Sequence, residues 1–114
     1  MLEWRNWSGS VSACPAAITA PEDEDELRDL VTSCLRLRVV GAGHSFMPLC
    51  DSDDLLLRLD RMDGAVTVAT DHASAWVPAG WPLSRVTAEL WRHGLSLANQ
   101  GYIDSQTLAG AVAT

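Results

Sequence analysis

Val39-Val40 runs directly into Gly41-Ala42-Gly43, and His44-Ser45-Phe46 follow at once. The apolar residues read as the end of a short buried strand, Leu37 to Val40. The glycines let the backbone turn sharply and come close to another group. A histidine on such a turn stands where a fold presents chemistry rather than packing. Any fold for this chain has to carry that turn at the rim of a sheet.

The flanking segments read as mixed helix and strand. Residues 1 to 17 show no clear period, with Asn6-Trp7-Ser8-Gly9 as a turn. Ala17-Ile18-Thr19-Ala20 forms a short strand ended by Pro21, and Glu22 to Leu35 is predicted helical. Leu27, Leu30, Val31 and Cys34 recur at i, i+3, i+4 and i+7, a face expected to be buried. The acidic run Glu22 to Glu26 falls in the first turns, where the helix dipole favours negative charge. Adjacent carboxylates fan outward from a helix, so this is a solvated start and not a metal site. After the loop Gly41 to Asp54, Leu55-Leu56-Leu57-Arg58-Leu59 is apolar enough for a central strand. Asp60 to Gly64 is a turn. Val66 and Val68 alternate as in a half-buried strand, Asp71-His72 turns, and Ala75 to Gly80 is a further strand with Pro78 at an edge or end. Leu83 to His93 is a second helix with the stripe Leu83, Val86 and Leu90, stopped by Gly94. Leu95 to Tyr102 is extended, and a loop follows. This order is α+β and lacks the regular alternation of a doubly wound sheet.

Composition narrows the partners. A chain of 114 residues with 47% apolar content builds one modest domain. A net charge of -7, with its basic residues scattered singly, argues against nucleic acid. Cys14, Cys34 and Cys50 form neither a CxxC pair nor a zinc spacing, and suit a reducing, cytoplasmic setting. The start, Met1 to Trp7, is no signal peptide, and no apolar run approaches a membrane span. The close, Leu108-Ala109-Gly110-Ala111-Val112-Ala113-Thr114, is small and apolar, as if cut through a packed element.

Four chemistries compete for the glycine turn. A nicotinamide-type Rossmann turn lacks its third glycine, and Pro48 interrupts the helix that should follow. A phosphate loop of the Walker type lacks its lysine and hydroxyl residue. Ser45 as a nucleophile has His44 only as a sequence neighbour, which is poor geometry for a base, and no G-x-S-x-G elbow. A cofactor cradle fits: backbone N–H groups hold a pyrophosphate or flavin edge while the imidazole meets a ring. A second segment, Asn99 to Gly110, is dense in amides, hydroxyls and glycines. An acidic protein holding an anionic cofactor needs such neutral donors.

Gly41-Ala42-Gly43-His44-Ser45-Phe46 followed by Gln106-Thr107-Leu108-Ala109-Gly110-Ala111-Val112-Ala113-Thr114 resembles the FAD-linked oxidases of the vanillyl-alcohol oxidase type. The likeness is strongest to the L-gulonolactone, D-arabinonolactone and alditol oxidases. Asn6-Trp7-Ser8-Gly9, Leu57-Arg58-Leu59-Asp60-Arg61-Met62-Asp63-Gly64, Ala79-Gly80 and His93-Gly94-Leu95-Ser96-Leu97 match in the same order. Their order and spacing together are specific.

The resemblance implies a PCMH-type FAD-binding domain of two α+β subdomains with the cofactor between them, followed by a larger cap. It divides the chain into an N-terminal segment, residues 1–17, and a partial FAD-binding domain, residues 18–114. The first subdomain is about 18–63 and the start of the second about 64–114. By similarity His44 is the residue bonded to the flavin 8α-methyl group. Ala42, Gly43, His44 and Ser45 hold the pyrophosphate region, and Gln106, Thr107, Ala109 and Gly110 line the cofactor from the second subdomain. The implied reaction oxidises a CH–OH group of a sugar lactone or polyol, with oxygen as acceptor. The base and substrate pocket belong to the cap, so the chain reads as an N-terminal piece whose catalytic residues lie past Thr114. The whole protein would act on a small sugar-derived substrate and could sit peripherally on a membrane. Cys34 to Arg38 is shorter than the family pattern, and Asp71 to Trp76 is an atypical turn. His72 and His93 read as surface residues, and Cys50 is not a flavin attachment point. The tryptophans read as packing, with Trp4, Trp7, Trp81 and Trp91 covering apolar surface. An inactive truncated piece, or a small α+β interaction module without flavin, is the competing reading.

Overall fold

The computed structural model describes residues 2–114. Three parallel strands form the first sheet: β3 (Ala17–Thr19), β4 (Leu37–Val40) and β5 (Leu55–Arg58), in the order β3-β5-β4. Leu55, Leu56 and Leu57 are all buried, because a central strand of a parallel sheet meets protein on both faces. The register sets Val40 opposite Arg58, so the Gly41 turn leaves the sheet at the carboxyl end of its strands.

The helix α1 (Glu24–Ser33) crosses between β3 and β4. Asp23 caps it by accepting from the Glu26 N–H at 2.8 Å, and the Glu26 carboxylate reaches back to the Glu22 N–H. Its apolar face is less covered than its periodicity predicts. Leu27, Leu30 and Cys34 are half-buried and Val31 is exposed. The stripe points inward, but little of the chain lies over its far edge.

Residues before β3 form a short antiparallel hairpin, β1 (Trp4–Arg5) with β2 (Ser12–Ala13). Strands this short carry no readable period. Asn6 closes the hairpin: it is 5% exposed, its Oδ1 accepts from the Val11 N–H at 3.0 Å, and Gly9 adopts φ +76° in the turn.

In the second half, β6 (Thr67–Val68) pairs with β7 (Ala75–Trp76) through a turn holding His72 at φ +55°. Strand geometry stops at Trp76, short of the expected Gly80. The helix α2 (Leu83–Arg92) buries Leu83, Val86 and Leu90, the stripe read from sequence, and ends at Gly94 with φ +74°. Trp81, Val86 and Leu90 make a core flanked by Val66, Val77, Leu95, Leu97 and Leu108. Trp81 is thus a core residue. Trp7, Trp76 and Trp91 are exposed. The expected closing loop contains a helix, α3 (Leu108–Ala113), capped by the Thr107 hydroxyl. Among the described residues, no helix is long and apolar enough to cross a membrane.

Candidate functional site

The two segments singled out in the sequence face each other across a groove. On one side is the Gly41–Ser45 turn at the end of β4. On the other is a strap, residues 104–110, held by backbone bonding. Pro82 precedes α2 and leaves that helix without a side-chain cap. Its first N–H groups find carbonyls of the strap instead, Leu83 to Gln106 at 2.8 Å and Ser84 to Asp104 at 3.0 Å. Leu108 then donates to the Trp81 carbonyl and Ala109 to that of Ala79, both at 2.9 Å.

Ala42, Gly43, His44, Ser45, Gln106, Thr107 and Gly110 line one cavity of about 200 Å³. Ala109 lines an adjoining cavity of about 580 Å³, together with Ala42, Thr107, Gly110, Gly80 and Arg58. All eight residues expected at a cofactor therefore border one continuous groove. Cys50 borders it too; its Sγ faces the Val39 carbonyl at 3.6 Å, and burial pushes the thiol pKa up against the pull of Arg38. A thiol kept protonated is a poor nucleophile. His72 and His93 are exposed, away from the groove.

The turn is built from its neighbours. Gly43 adopts φ +74°, and its carbonyl accepts from the Trp7 N–H at 2.8 Å. A β-carbon there would meet the Trp4 ring at 3.1 Å. The Asn6 Nδ2 donates to the Ser45 carbonyl at 2.9 Å. The Ser45 hydroxyl accepts from the Met47 N–H at 3.2 Å, a turn role. Among the described residues, no acceptor meets the N–H of Ala42, Gly43, His44 or Ser45. Successive unpaired N–H groups on a glycine turn form a concavity suited to an anion.

His44 is held from two sides. Its Nε2 lies 3.0 Å from the Ser105 Oγ, and the Trp7 ring lies against it at 5.2 Å between centroids, tilted by 32°. Sequence reasoning did not single out Ser105 or Trp7 for this site. Trp7 was read as apolar cover, and 61 positions separate Ser105 from His44. No local pattern signals such a pairing.

The groove fits a long cofactor with an anionic middle. Its turn offers free N–H donors and its strap adds Gln106 and Thr107. The close approach of Gly41 to Thr107 leaves no space for a β-carbon between turn and strap.

The chain is similar to known proteins in both sequence and fold. The chain is 32% identical to an L-gulono-1,4-lactone dehydrogenase of Mycobacterium tuberculosis, over 97% of its own length and 27% of that protein. It is 34% identical to a D-arabinono-1,4-lactone oxidase of Saccharomyces cerevisiae, over 97% of itself and 23% of the relative. It thus spans about a quarter of the length of the relatives it matches. In fold it is similar to cholesterol oxidase from B. sterolicum, with a TM-score of 0.73 at 21% identity, covering 97% of this chain and 23% of that one. That likeness concerns the fold alone, the mixed helix-and-strand architecture expected from the sequence. The family described as FAD binding domain matches residues 15–114, and the chain belongs to it.

Proposed function

We propose that the groove between the Gly41–Ser45 turn and the 104–110 strap holds FAD, and that His44 is its covalent anchor. The carrying observation is the run of unpaired N–H groups at Ala42, Gly43, His44 and Ser45 beside an imidazole on the same cavity. The N–H groups supply neutral donors to the pyrophosphate, which suits a chain of net charge -7. Gln106, Thr107, Ala109 and Gly110 form the opposite wall. The subdomain division at residues 63–64 is part of this reading, with the parallel sheet on one side of the groove and the α2 core on the other.

When bound, FAD supplies hydride acceptance at its ring. This chain's residues bind and orient it. His44 fixes one edge by a bond to the 8α-methyl carbon, and the Trp7 and Ser105 contacts hold the imidazole. Thr107 and Gly110 shape the strap against which the cofactor lies. We place the chain as the cofactor-binding part of an oxidoreductase acting on a CH–OH group of a sugar lactone or polyol, with oxygen as acceptor. The lactone-oxidising relatives named above motivate that substrate class. The free cysteines suit a cytoplasmic location.

The test is direct. The purified protein is incubated with FAD, precipitated with acid and inspected for yellow, fluorescent pellet. Wild type should retain flavin. His44→Ala should lose the retained flavin while still quenching free FAD fluorescence. A colourless wild-type pellet defeats the covalent anchor, and absence of quenching in both proteins defeats the site.

A further inference from the structure

We propose that Ser105 is the positioning residue for His44, accepting the Nε2–H so that Nδ1 is left unprotonated to meet the cofactor. The inference rests on the reading of His44 as the flavin anchor. A neutral imidazole carries one N–H. With the proton on Nε2, Ser105 accepts it and the Nδ1 lone pair is free. With the proton on Nδ1, the Nε2 lone pair is taken by the Ser105 hydroxyl and neither nitrogen is available. The Ser105 Oγ lies 3.0 Å from Nε2, whereas Nδ1 has no hydrogen-bond partner among the described residues.

Two features make this contact a fixed one. Ser105 sits between Asp104 and Gln106, whose carbonyls both accept from the first N–H groups of α2. The strap therefore holds the hydroxyl in place at little entropic cost to the serine itself. Trp7 constrains the ring face, and its own N–H is bonded to Gly43 beside His44. With its edge and face both held, the imidazole keeps one orientation. An outer hydrogen bond that sets tautomer and ring angle is the usual support of a working histidine.

The bond joins Nδ1 to the 8α carbon. One methyl hydrogen and the Nε2 proton leave as protons, the two electrons pass to the flavin ring, and dioxygen takes electrons and protons as hydrogen peroxide. Ser105 stands at the atom that gives up the second proton, and it is exposed to water that can receive it.

The experiment follows covalent attachment over time, by in-gel flavin fluorescence and intact mass, for wild type, Ser105→Ala and Ser105→Thr at saturating FAD across a pH series. The imidazole ¹⁵N shifts of His44 are measured without FAD. Wild type and Ser105→Thr should show a single Nε2–H tautomer. Ser105→Ala should show mixed tautomers and, at the same saturating FAD, attach flavin about tenfold or more slowly. Equal attachment rates in wild type and Ser105→Ala, or an Nδ1–H tautomer in wild type, overturn the inference while the anchor stands. A wild type that binds FAD but never attaches it overturns the anchor, and this inference with it.

Discussion

Gly41 lies so close to Thr107 that a β-carbon on the glycine would collide with the threonine hydroxyl. The contact joins the strand-end turn to the strap. The same hydroxyl accepts from the Gly110 N–H at 3.2 Å and caps α3. One side chain therefore spaces the groove and starts the helix on its far wall.

Gly41→Ala forces Thr107 to rotate or the strap to move. The expected cost is about 1–3 kcal/mol from overpacking, part of it the loss of the cap, worth about 1 kcal/mol. Thr107→Ala removes the obstructing oxygen. A double-mutant cycle by urea unfolding should then show the pair costing less than the sum, with a coupling of about 0.5 kcal/mol or more. Strict additivity would mean that turn and strap do not touch in solution.

Gly80 presents a harder obstacle. A β-carbon there would run into the Leu59 backbone carbonyl, just beyond the central strand β5. Backbone cannot rotate aside as a hydroxyl can. Gly80→Ala is expected to destabilise at the upper end of the overpacking range, about 3 kcal/mol. Gly101 faces open space, and Gly101→Ala should stay within about 0.5 kcal/mol. Thermal unfolding of the two variants checks the order, and equal midpoints would refute it.

Asn6 ties the N-terminal hairpin to the Gly41–Ser45 turn. It donates to the Ser45 carbonyl and accepts from the Val11 N–H while nearly fully buried. Asn6→Ala leaves both partners short of a bond, at about 1–3 kcal/mol. Asn6→Asp keeps the acceptor but sets a carboxylate against the Ser45 carbonyl, so it should be at least as damaging. Both variants should weaken FAD binding, read as an increased Kd by fluorescence titration. Unchanged affinity alongside lowered stability would show that the hairpin supports the fold and not the turn.

What the sequence made legible depended on how local each signal was. The α2 stripe and the Leu55–Leu57 run were readable because burial there is written within a single element. The site segments were readable because glycines, amides and hydroxyls cluster in contiguous stretches. α3 was not, since Leu108–Ala113 has no polar face to set a period and contains Gly110. Its start depends on the Thr107 cap and on bonds to Ala79 and Trp81, which only tertiary contact supplies. For α1, periodicity identified which face turns inward but carried no information on how much chain covers it. The contacts of His44 with Trp7 and Ser105 join residues far apart in sequence, so no window could contain them.

Asp63 supplies the clearest pH dependence. It holds the turn after β5 to the start of α2. Its carboxylate accepts from the Gly64 N–H at 2.8 Å and the Trp81 Nε1 at 3.3 Å, and pairs with Arg85 at 3.2 Å. The Arg85 guanidinium also lies 3.9 Å over the Trp81 ring. The Gly64 N–H, then Trp81 and Arg85, lower the Asp63 pKa below the ordinary value. A depressed folded pKa means that the unfolded chain binds the proton first. The stabilisation is therefore complete well above about pH 4, the unfolded aspartate range, and is lost as pH falls through the lower folded value. Asp63→Asn keeps the size but loses the charge. The wild-type advantage in Tm over Asp63→Asn should be greatest between about pH 5 and 7 and should vanish toward about pH 2. Because Asp63 is exposed, molar salt should reduce the Arg85 share and leave the Gly64 and Trp81 bonds. A Tm difference that stays constant from neutral to strongly acid pH would show that the carboxylate's charge does not hold this junction.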